Sequence, residues 1–377
     1  MIAQSKIQMV DLAGQYLKIK DEIDSSMARI IETCAFVGGP AVNDFCQSLA
    51  NYLDVNHVIG CGNGTDALMI AMMALDLKPG DEVITASHTF VATAEAIALL
   101  GLTPVFVDVQ PDTFTIDIEA VEKAITPRTR CIMPVHLYGQ SADMEKLLQI
   151  AQKHGIYIIE DNAQAIGADY LFSNGKTQKT GTIGHIGCTS FYPSKNLGCY
   201  GDGGAIFTND DLLAEKIRLV ANHGQRTKYD SSVIGVNSRL DALQAVVLSA
   251  KLKRLDEYNQ SRIRVADYYD NAFKGCNNII TPFRAPYTTH VFHQYTLCVK
   301  GDRDELKQVL QDRGIPTMIY YPIPIHLQQA YVYYGYPKGS LPVTEHLAQQ
   351  VISLPIHTEM NEDQLNYISQ TLLELVS

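Results

Sequence analysis

The residue whose surroundings best suit covalent chemistry in this sequence is Lys195. It lies in the stretch 189–204, which is otherwise rich in small, aromatic and glycine residues, and no other Lys or Arg occurs between Lys179 and Lys216. An apolar, partly desolvated pocket favours a neutral lysine, which can condense with a carbonyl group to give a Schiff base. The alternative is an ordinary surface lysine. The chemistry therefore requires an aldehyde-bearing cofactor and residues that hold it.

A glycine turn at 60–64 could hold a phosphate group. A short strand enters the turn, and a helix is predicted to begin near Thr65. Backbone N–H groups at such a turn and the positive end of the helix form a phosphate cradle. The turn also resembles the dinucleotide pattern G-x-G-x-x-G, but Ala67 takes the place of the third glycine. A nicotinamide dehydrogenase would further need an acidic residue after the second strand, where 86–88 is Ala-Ser-His.

Asp161 is a candidate partner for a cofactor ring. It follows the nearly apolar run 156–159. One interpretation is a helix N-cap or turn aspartate, which is common at strand ends. The other is a carboxylate that pairs with a cationic ring nitrogen, keeps the ring protonated and makes it a better electron sink. Phe90 follows another predicted strand and adds an aromatic side chain to the set.

The elements that must position these residues alternate between strands and helices. Strands are predicted from Val58 and at 82–86, 104–109, 131–136, 156–160, 184–190 and 205–208, with helices at 92–100, 118–124 and 144–154. Strands separated by helices of this length indicate βαβ units and a largely parallel sheet. Ligands bind at the carboxyl ends of such strands, which here carry residues 87–90, 136–140 and 161–164.

The rest of the chain predicts a second, smaller lobe. A long helical region at about 239–272 is expected to connect the lobes, and 169–185 to form a hairpin or flap. Beyond it, strands are predicted at 294–299 and 317–321, and helices at 302–313, 345–352 and 362–376. A chain of 377 residues exceeds what one core usually supports. We expect a large domain at 1–250, whose N-terminal segment packs on the small lobe, and a small domain at 251–377.

Composition excludes several classes of protein. The net charge of −11 and the pI of about 5.4 argue against nucleic-acid or membrane binding. Eight cysteines without CxxC spacing are typical of reduced thiols, and no metal site is predicted. Residues 1–23 lack a signal-peptide core, and no run reaches the roughly 18 apolar residues of a membrane span. We expect a cytoplasmic location.

Four stretches together carry a resemblance to a known family. They are 62–68 (GNGTDAL), 160–164 (EDNAQ), 190–195 (SFYPSK) and 237–241 (NSRLD). The chain resembles the fold type I pyridoxal-phosphate enzymes and, more closely, the DegT/DnrJ/EryC1/StrS sugar aminotransferases, over essentially its whole length. The resemblance implies an α/β fold whose large domain has a mostly parallel seven-stranded sheet, with a smaller C-terminal α+β domain. It also implies pyridoxal 5′-phosphate as cofactor.

Roles for the ring-binding residues follow from the resemblance. It implies that Lys195 forms the Schiff base with the cofactor and later moves the proton between the cofactor carbon and the sugar carbon. Asp161 would pair with the pyridine nitrogen. Gln164 would hydrogen-bond the ring hydroxyl, and Phe90 would stack on the ring.

The phosphate site implied by the resemblance involves a second subunit. Gly64 and Thr65 would donate backbone N–H groups, and the hydroxyl groups of Thr65 and Ser190 would complete the set. Asn237 would reach the phosphate from the partner subunit. The family therefore implies a homodimer with composite active sites.

The resemblance also implies the substrates. L-Glutamate would give its amino group and leave as 2-oxoglutarate, and a nucleotide-linked keto sugar would then accept the amine, so ping-pong kinetics are expected. The stretch around Lys195 is most similar to enzymes that aminate C3 in cell-surface glycan (lipopolysaccharide and O-antigen) biosynthesis. A UDP-linked 2-acetamido-3-keto sugar is favoured, and a dTDP-linked 3-keto-6-deoxyhexose is the alternative.

Substrate contacts are expected from Arg239, Tyr320, Tyr321 and His326, with Arg226 adding positive potential. Tyr320-Tyr321 stands where some relatives that act on acidic sugars have His-Tyr.

Two other functions are alternatives to an aminotransferase. A non-catalytic regulatory or binding protein would have no need of Lys195 and Asp161, and the acidic chain shows no basic recognition helix. A pyridoxal-phosphate-dependent sugar dehydratase of the same fold would have histidine in place of Lys195.

Overall fold

The computed structural model describes residues 7–376 as twelve α-helices and fourteen strands, with three short 3₁₀ turns. The helices are α1 Leu12–Thr33, α2 Pro40–Leu53, α3 Gly64–Ala74, α4 Ala92–Leu99, α5 Ile118–Ala124, α6 Met144–His154, α7 Asp211–Ala221, α8 Ala242–Leu252, α9 Leu255–Ala272, α10 Arg303–Asp312, α11 Pro342–Gln350 and α12 Glu362–Val376. The strands are β1 His57–Cys61, β2 Glu82–Ala86, β3 Thr103–Val107, β4 Thr129–Met133, β5 Tyr157–Asp161, β6 Asp169–Leu171, β7 Thr177–Lys179, β8 Ile186–Ser190, β9 Gly204–Thr208, β10 Gln225–Thr227, β11 Asp230–Ser231, β12 Ile279–Ile280, β13 Tyr295–Val299 and β14 Val351–Leu354.

A seven-stranded sheet forms the centre of the large lobe and confirms the predicted fold class. Its strand order is β1-β9-β8-β5-β4-β2-β3, and only β9 runs antiparallel to its neighbours. Both faces of β2 and β9 are fully buried, which is why these strands appear in the sequence as short apolar runs. The ends of β5 and β8 and the start of α3 meet at the same edge of the sheet.

The small lobe has its own core around the antiparallel sheet β12-β13-β14. Leu297 of β13 packs there with Tyr269 of α9 and Leu372 of α12, and Ile7 joins the same cluster. Helix α8 instead contributes Leu248 to a core of the large lobe. The domain ranges 1–250 and 251–377 stay a prediction, and residues 1–6 and 377 of those ranges lie outside the described part.

Three predicted elements differ from the structure. The stretch 317–321 forms no strand and makes a single bridge from Met318 to Ser353. The predicted helix 345–352 ends at Gln350, because the buried run Val351–Leu354 pairs with β13 instead. The helical region 239–272 is two helices, α8 and α9, separated at 253–254.

The predicted flap at 169–185 contains the hairpin β6–β7. A Cβ on Gly187 of β8 would lie 1.7 Å from the carbonyl oxygen of Gly181, so only glycine lets the flap pass this close to the sheet. None of the helices within residues 7–376 combines the length and the apolar character needed to cross a membrane.

Candidate active site

A cavity of about 740 Å³ opens where the carboxyl ends of the parallel strands meet α3. Its size is typical of a pocket for a small molecule. Nine of the residues singled out in the sequence line it: Gly64, Thr65, Phe90, Asp161, Gln164, Ser190, Lys195, Tyr320 and Tyr321. Both lobes contribute to the wall, since Tyr320 and Tyr321 come from the C-terminal part of the chain.

Lys195 lies in a loop that is held on two sides. Its backbone N–H donates to the Tyr192 carbonyl at 2.8 Å. The neighbouring Asn196 is buried and donates through Nδ2 to Asn259 Oδ1 at 2.7 Å and to the Val291 carbonyl at 2.9 Å. Burial lowers the pKa of Lys195 to about 8, although the Asp161 carboxylate offsets part of this effect. The neutral, nucleophilic form of the amine is therefore far more abundant near neutral pH than in an ordinary lysine.

Asp161 ends β5 and is buried in the cavity wall. Thr93 Oγ1 donates to its Oδ2 at 2.8 Å, and the Ala163 N–H donates to its Oδ1 at 3.2 Å. Burial raises the pKa of Asp161, while these hydrogen bonds and the Lys195 charge oppose the rise. A carboxylate in this position can bind a cationic group, such as a protonated ring nitrogen, more strongly than it could in water.

Glu160, the neighbour of Asp161, is the centre of a buried network that the sequence analysis missed. Its carboxylate accepts from the backbone N–H groups of Gly181 (2.8 Å), Ile183 (2.6 Å) and Gly184 (2.5 Å). His136 Nε2 lies 2.8 Å from the same carboxylate. Because His136 Nδ1 accepts from the Ala142 N–H at 3.1 Å, Nε2 carries the hydrogen and donates to Glu160. The network ties the flap to the strand that carries Asp161.

The turn before α3 leaves backbone donors free for an anion. Asn63 caps the helix by accepting the Asp66 N–H at 2.8 Å, while the N–H groups of Gly64 and Thr65 lie in the first turn, where they have no intrahelical partner. A Cβ on Gly64 would lie 2.8 Å from the Ser190 Cβ. The glycine thus lets β8 and the helix start approach each other closely enough to share one ligand.

Gln164 and the aromatic residues form the wall beside Asp161. Gln164 Oε1 accepts the Tyr138 N–H at 2.8 Å, and its Nε2 donates to the Tyr321 hydroxyl at 3.2 Å. The second hydrogen on Nε2 is available to a ring hydroxyl. The Phe90 ring is 54% exposed and lies 6.0 Å from the Tyr321 ring, so its face is open to a planar ligand.

Four predicted residues do not line the cavity of this chain. Arg226, Asn237 and Arg239 are exposed, and the prediction that Asn237 serves a partner subunit stays a prediction. His326 is fully buried, and its ring nitrogens lie 2.8 Å from Ser87 Oγ and 3.2 Å from Glu345 Oε1. This placement does not fit the predicted substrate contact. His326 instead links Ser87, directly after β2, to Glu345 of α11.

Further residues of the site were not predicted. Thr93 supports Asp161, and His293 and Gln294 line the cavity from the start of the small lobe. Thr93 carried a weak signal, because it lies three residues after Phe90 at the start of a predicted helix. His293 carried none, since nothing in its spacing connects it with Lys195.

These residues fit a phosphorylated pyridine aldehyde. The cavity combines an amine of lowered pKa, a buried carboxylate and a phosphate cradle that a Cβ would fill. The amine suits the aldehyde of such a ligand, the carboxylate suits its ring nitrogen, and the cradle suits its phosphate.

Comparison with known proteins identifies relatives over the full length of the fold. The profile of the DegT/DnrJ/EryC1/StrS aminotransferase family matches residues 17–373. The pleiotropic regulatory protein of Geobacillus stearothermophilus is 46% identical over 98% of both chains. The UDP-2-acetamido-2-deoxy-3-oxo-D-glucuronate aminotransferase of Pseudomonas aeruginosa is 45% identical over 97% of this chain and 99% of its own. The dTDP-3-amino-3,4,6-trideoxy-α-D-glucose transaminase of Streptomyces venezuelae is 43% identical over 95% and 93%.

Two solved structures superimpose on this chain over most of its length. S. venezuelae DesV in complex with a ketimine intermediate superimposes with a TM-score of 0.95 at 42% identity, covering 99% of both chains. NtdA from Bacillus subtilis, with bound cofactor PMP, has a TM-score of 0.88 at 34% identity and covers 95% of this chain and 82% of its own.

The lowered pKa of Lys195 predicts how its reactivity depends on pH. In protein freed of cofactor, the rate of arylation of Lys195 by fluorodinitrobenzene should rise about tenfold per pH unit and level off above about pH 8, because only the neutral amine reacts. The modified peptide is quantified by mass spectrometry. A free lysine derivative in the same buffer should level off only near its ordinary pKa of about 10.4. A midpoint for Lys195 near that of the free derivative would contradict the desolvation of the amine.

The Glu160 network predicts a large effect from a small substitution. Glu160→Gln should reduce the free energy of unfolding by about 2–3 kcal/mol, because the amide NH₂ cannot accept hydrogen bonds from the flap. It should also weaken cofactor binding, measured by titration, since Asp161 is the next residue. Glu145→Gln is the matched control: Glu145 accepts from Ser173 in the same flap at 3.0 and 2.5 Å, but in an exposed setting. Equal melting temperatures for the two variants would refute a special role for Glu160.

Proposed function

This chain belongs to the DegT/DnrJ/EryC1/StrS aminotransferase family and is a pyridoxal-phosphate-dependent sugar aminotransferase, and we propose that it moves an amino group from L-glutamate to C3 of a nucleotide-linked 3-keto sugar. The observation that carries the proposal is the Lys195 amine, with its lowered pKa, in one cavity with the buried Asp161. A protein that only bound a ligand would have no use for that pair.

The residues of this chain divide the chemistry between them. Bound pyridoxal phosphate supplies an aldehyde and an electron sink. Gly64, Thr65 and Ser190 would hold its phosphate, and Asp161 would keep a proton on the ring nitrogen. Lys195 would hold the aldehyde end of the group in the resting enzyme and, when its amine is free, would move the proton at the substrate carbon. Glutamate leaves as 2-oxoglutarate, and the keto sugar leaves as an amino sugar.

The names of two relatives support C3 as the acceptor position. The P. aeruginosa relative acts on a 3-oxo sugar, and the S. venezuelae relative is named for a 3-amino sugar. We propose the UDP-linked 2-acetamido-3-keto sugar first. A dTDP-linked 3-keto-6-deoxyhexose is the second candidate, supported by the 43% identity to the dTDP-3-amino-3,4,6-trideoxy-α-D-glucose transaminase of S. venezuelae. Both are precursors that a cell-surface glycan pathway could use.

The charge of the cavity supports a homodimer with composite sites. Among the described residues that line it, Lys195 is the only Lys or Arg, whereas Asp66, Glu95 and Asp202 line it together with Asp161. A nucleotide diphosphate and the two carboxylates of glutamate need more positive charge than one amine supplies. We propose that the exposed 225–239 segment of the partner subunit, with Asn237, Arg239 and Arg226, closes the site.

The same segment has the character of an interface. Tyr229 and Ile234, beside the hairpin β10–β11, are 85% and 88% exposed. Large apolar side chains exposed in one short segment are typical of a surface that a partner covers.

A spectroscopic experiment tests the reaction and the nucleotide together. The visible absorbance band of the purified holoenzyme should fall when L-glutamate is added and return when the accepted keto sugar follows, as two separate half-reactions require. The panel contains UDP- and dTDP-linked 3-keto sugars and a 4-keto sugar, and the amino sugar is identified by mass spectrometry. Lys195→Ala should show neither change. Recovery of the band with the 4-keto sugar alone would overturn C3, and no response to glutamate would overturn the donor.

Complementation between two inactive variants tests the composite site. Lys195→Ala and Asn237→Ala homodimers should each have little activity. Mixed dimers should recover up to about a quarter of the wild-type activity, because half of the dimers are hybrids and each hybrid has one site with an intact Lys195 and the partner's intact Asn237. If Asn237 served its own subunit, no hybrid site would be complete and mixing would restore nothing.

A further inference from the structure

Tyr138 does not line the cavity, yet each of its polar groups contacts a residue that does. It is 3% exposed and lies in the short turn Leu137–Gly139 that follows β4. Its backbone N–H donates to Gln164 Oε1 at 2.8 Å, and its carbonyl accepts the Gln294 N–H at 3.3 Å. Its hydroxyl group donates to the Tyr320 carbonyl. The reaction outlined above gives this residue no role.

The direction of each hydrogen bond at the Tyr138 hydroxyl follows from its partners. A carbonyl oxygen can only accept, so the hydroxyl hydrogen goes to Tyr320. His88 Nε2 lies 3.1 Å from the same hydroxyl oxygen and therefore donates to it. Burial lowers the pKa of His88 to about 4, so the ring is neutral and carries its one hydrogen on Nε2. The hydroxyl group is thus held by one donor and one acceptor.

Tyr138 also decides which way the Gln164 amide faces. A backbone N–H can only donate, so the amide oxygen must face Tyr138 and the NH₂ group must point away from it. One hydrogen of this NH₂ group goes to the Tyr321 hydroxyl at 3.2 Å. Because an amide group is planar, these two bonds fix the direction of the second hydrogen.

These contacts form a closed path that joins the large lobe to the C-terminal part of the chain. The path runs from the Tyr138 N–H to Gln164 and from Gln164 to the Tyr321 hydroxyl. It continues along the chain to Tyr320, whose carbonyl returns to the Tyr138 hydroxyl. No member of a closed path can move alone without breaking a hydrogen bond, so its members position one another.

The backbone of Tyr138 indicates that its position is imposed by its surroundings. Its φ of 59° lies in the left-handed region, which is unfavourable for a residue with a Cβ. Such conformations persist where the surrounding contacts hold them, and they cluster at functional sites. Here the next residue, Gly139, accepts the Val291 N–H at 2.9 Å, and the contacts of Tyr138 itself all lead to the cavity wall.

We propose that Tyr138 is a positioning residue that, through this closed path, aims the free hydrogen of the Gln164 amide at the hydroxyl group of the cofactor ring. The Tyr138 hydroxyl acts indirectly, because it holds the Tyr320–Tyr321 segment and Tyr321 in turn holds the amide. The inference rests on the cofactor assigned above and on the ring contact expected of Gln164. It is independent of the amino donor and of the sugar.

Binding to cofactor-free protein tests the proposal without turnover. Pyridoxine 5′-phosphate has an alcohol in place of the aldehyde and cannot bond to Lys195, and its 3-deoxy analogue lacks only the ring hydroxyl. Calorimetric titration should show that the wild type binds the first about fivefold more tightly, the effect of one hydrogen bond. Tyr138→Phe keeps both backbone contacts, and the ratio of the two dissociation constants should fall below about two. A merely structural defect would weaken both ligands equally.

Tyr321→Phe breaks the same path at another point. It should lower the ratio to the same extent as Tyr138→Phe. The double variant should lower the ratio no further, because the two hydroxyl groups act in series on one amide. Effects that add independently would contradict the closed path.

Tyr269→Phe is the matched control. The Tyr269 hydroxyl is also buried and donates to a backbone carbonyl, that of Pro355, at 3.0 Å. Tyr269 belongs to the core of the small lobe and not to the cavity lining. Its loss should lower the melting temperature but leave the ratio of dissociation constants at the wild-type value.

Two outcomes would overturn the proposal directly. They are an unchanged ratio in Tyr138→Phe and a wild-type ratio near one, which would mean that Gln164 does not bind the ring hydroxyl. Neither outcome touches the proposed reaction, which is measured by the response of the visible band to L-glutamate.

A second pair of variants applies if Tyr138→Phe does not fold. His88→Leu removes the donor to the Tyr138 hydroxyl, whereas the amide nitrogen of His88→Gln can take the place of Nε2. The proposal then requires a lowered ratio in the Leu variant and the wild-type ratio in the Gln variant. Equal ratios in both variants would refute it.

Discussion

The buried carboxylate of Asp161 is the constraint on which the rest of the site depends. A charge inside a protein is costly unless hydrogen bonds stabilise it, and Thr93 and Ala163 supply them here at 2.8 and 3.2 Å. The backbone is equally fixed, because the Asp161 N–H donates to the Pro134 carbonyl and its carbonyl accepts the His136 N–H. A cofactor ring that binds in this cavity meets an acceptor that need not move.

Alternation along β5 explains how two neighbouring acids serve different purposes. Successive side chains of a strand point to opposite faces, so Asp161 faces the cavity while Glu160 faces the flap. A shift of one residue in the pairing of β5 with β8 would exchange them. The His136–Glu160 hydrogen bond and the three flap donors act against that shift, so the strand register and the position of the Asp161 carboxylate are fixed by one network.

The sequence predicted the parts of the site that local patterns encode. Asp161 and the Gly64 turn were predicted because each lies at the end of a strand or the start of a helix whose pattern is readable. Lys195 was predicted because its stretch is rich in small, aromatic and glycine residues and has no other Lys or Arg. The strand at 317–321 was wrong because a long-range contact decides it: Ser353 pairs with Met318. The substrate role of His326 stays a prediction, and the contacts of its imidazole with Ser87 and Glu345 could not be read from the sequence for the same reason. His293 was missed for the same reason, since the turn that places it lies about 150 residues away in the chain, at Gly139.

Three hydrogen bonds between the lobes hold the loop of Lys195 and the cavity wall in place. Asn196 binds Val291, Tyr138 donates through its hydroxyl to the Tyr320 carbonyl, and Gln164 donates to the Tyr321 hydroxyl. Most of these partners on the small-lobe side are backbone carbonyls, which do not change when a side chain is replaced. The Tyr320 side chain can therefore vary, and with it the shape of the cavity wall, while the loop of Lys195 and the wall at Gln164 keep their geometry. The shape of the cavity near Tyr320 can in this way change without moving Lys195 or Gln164.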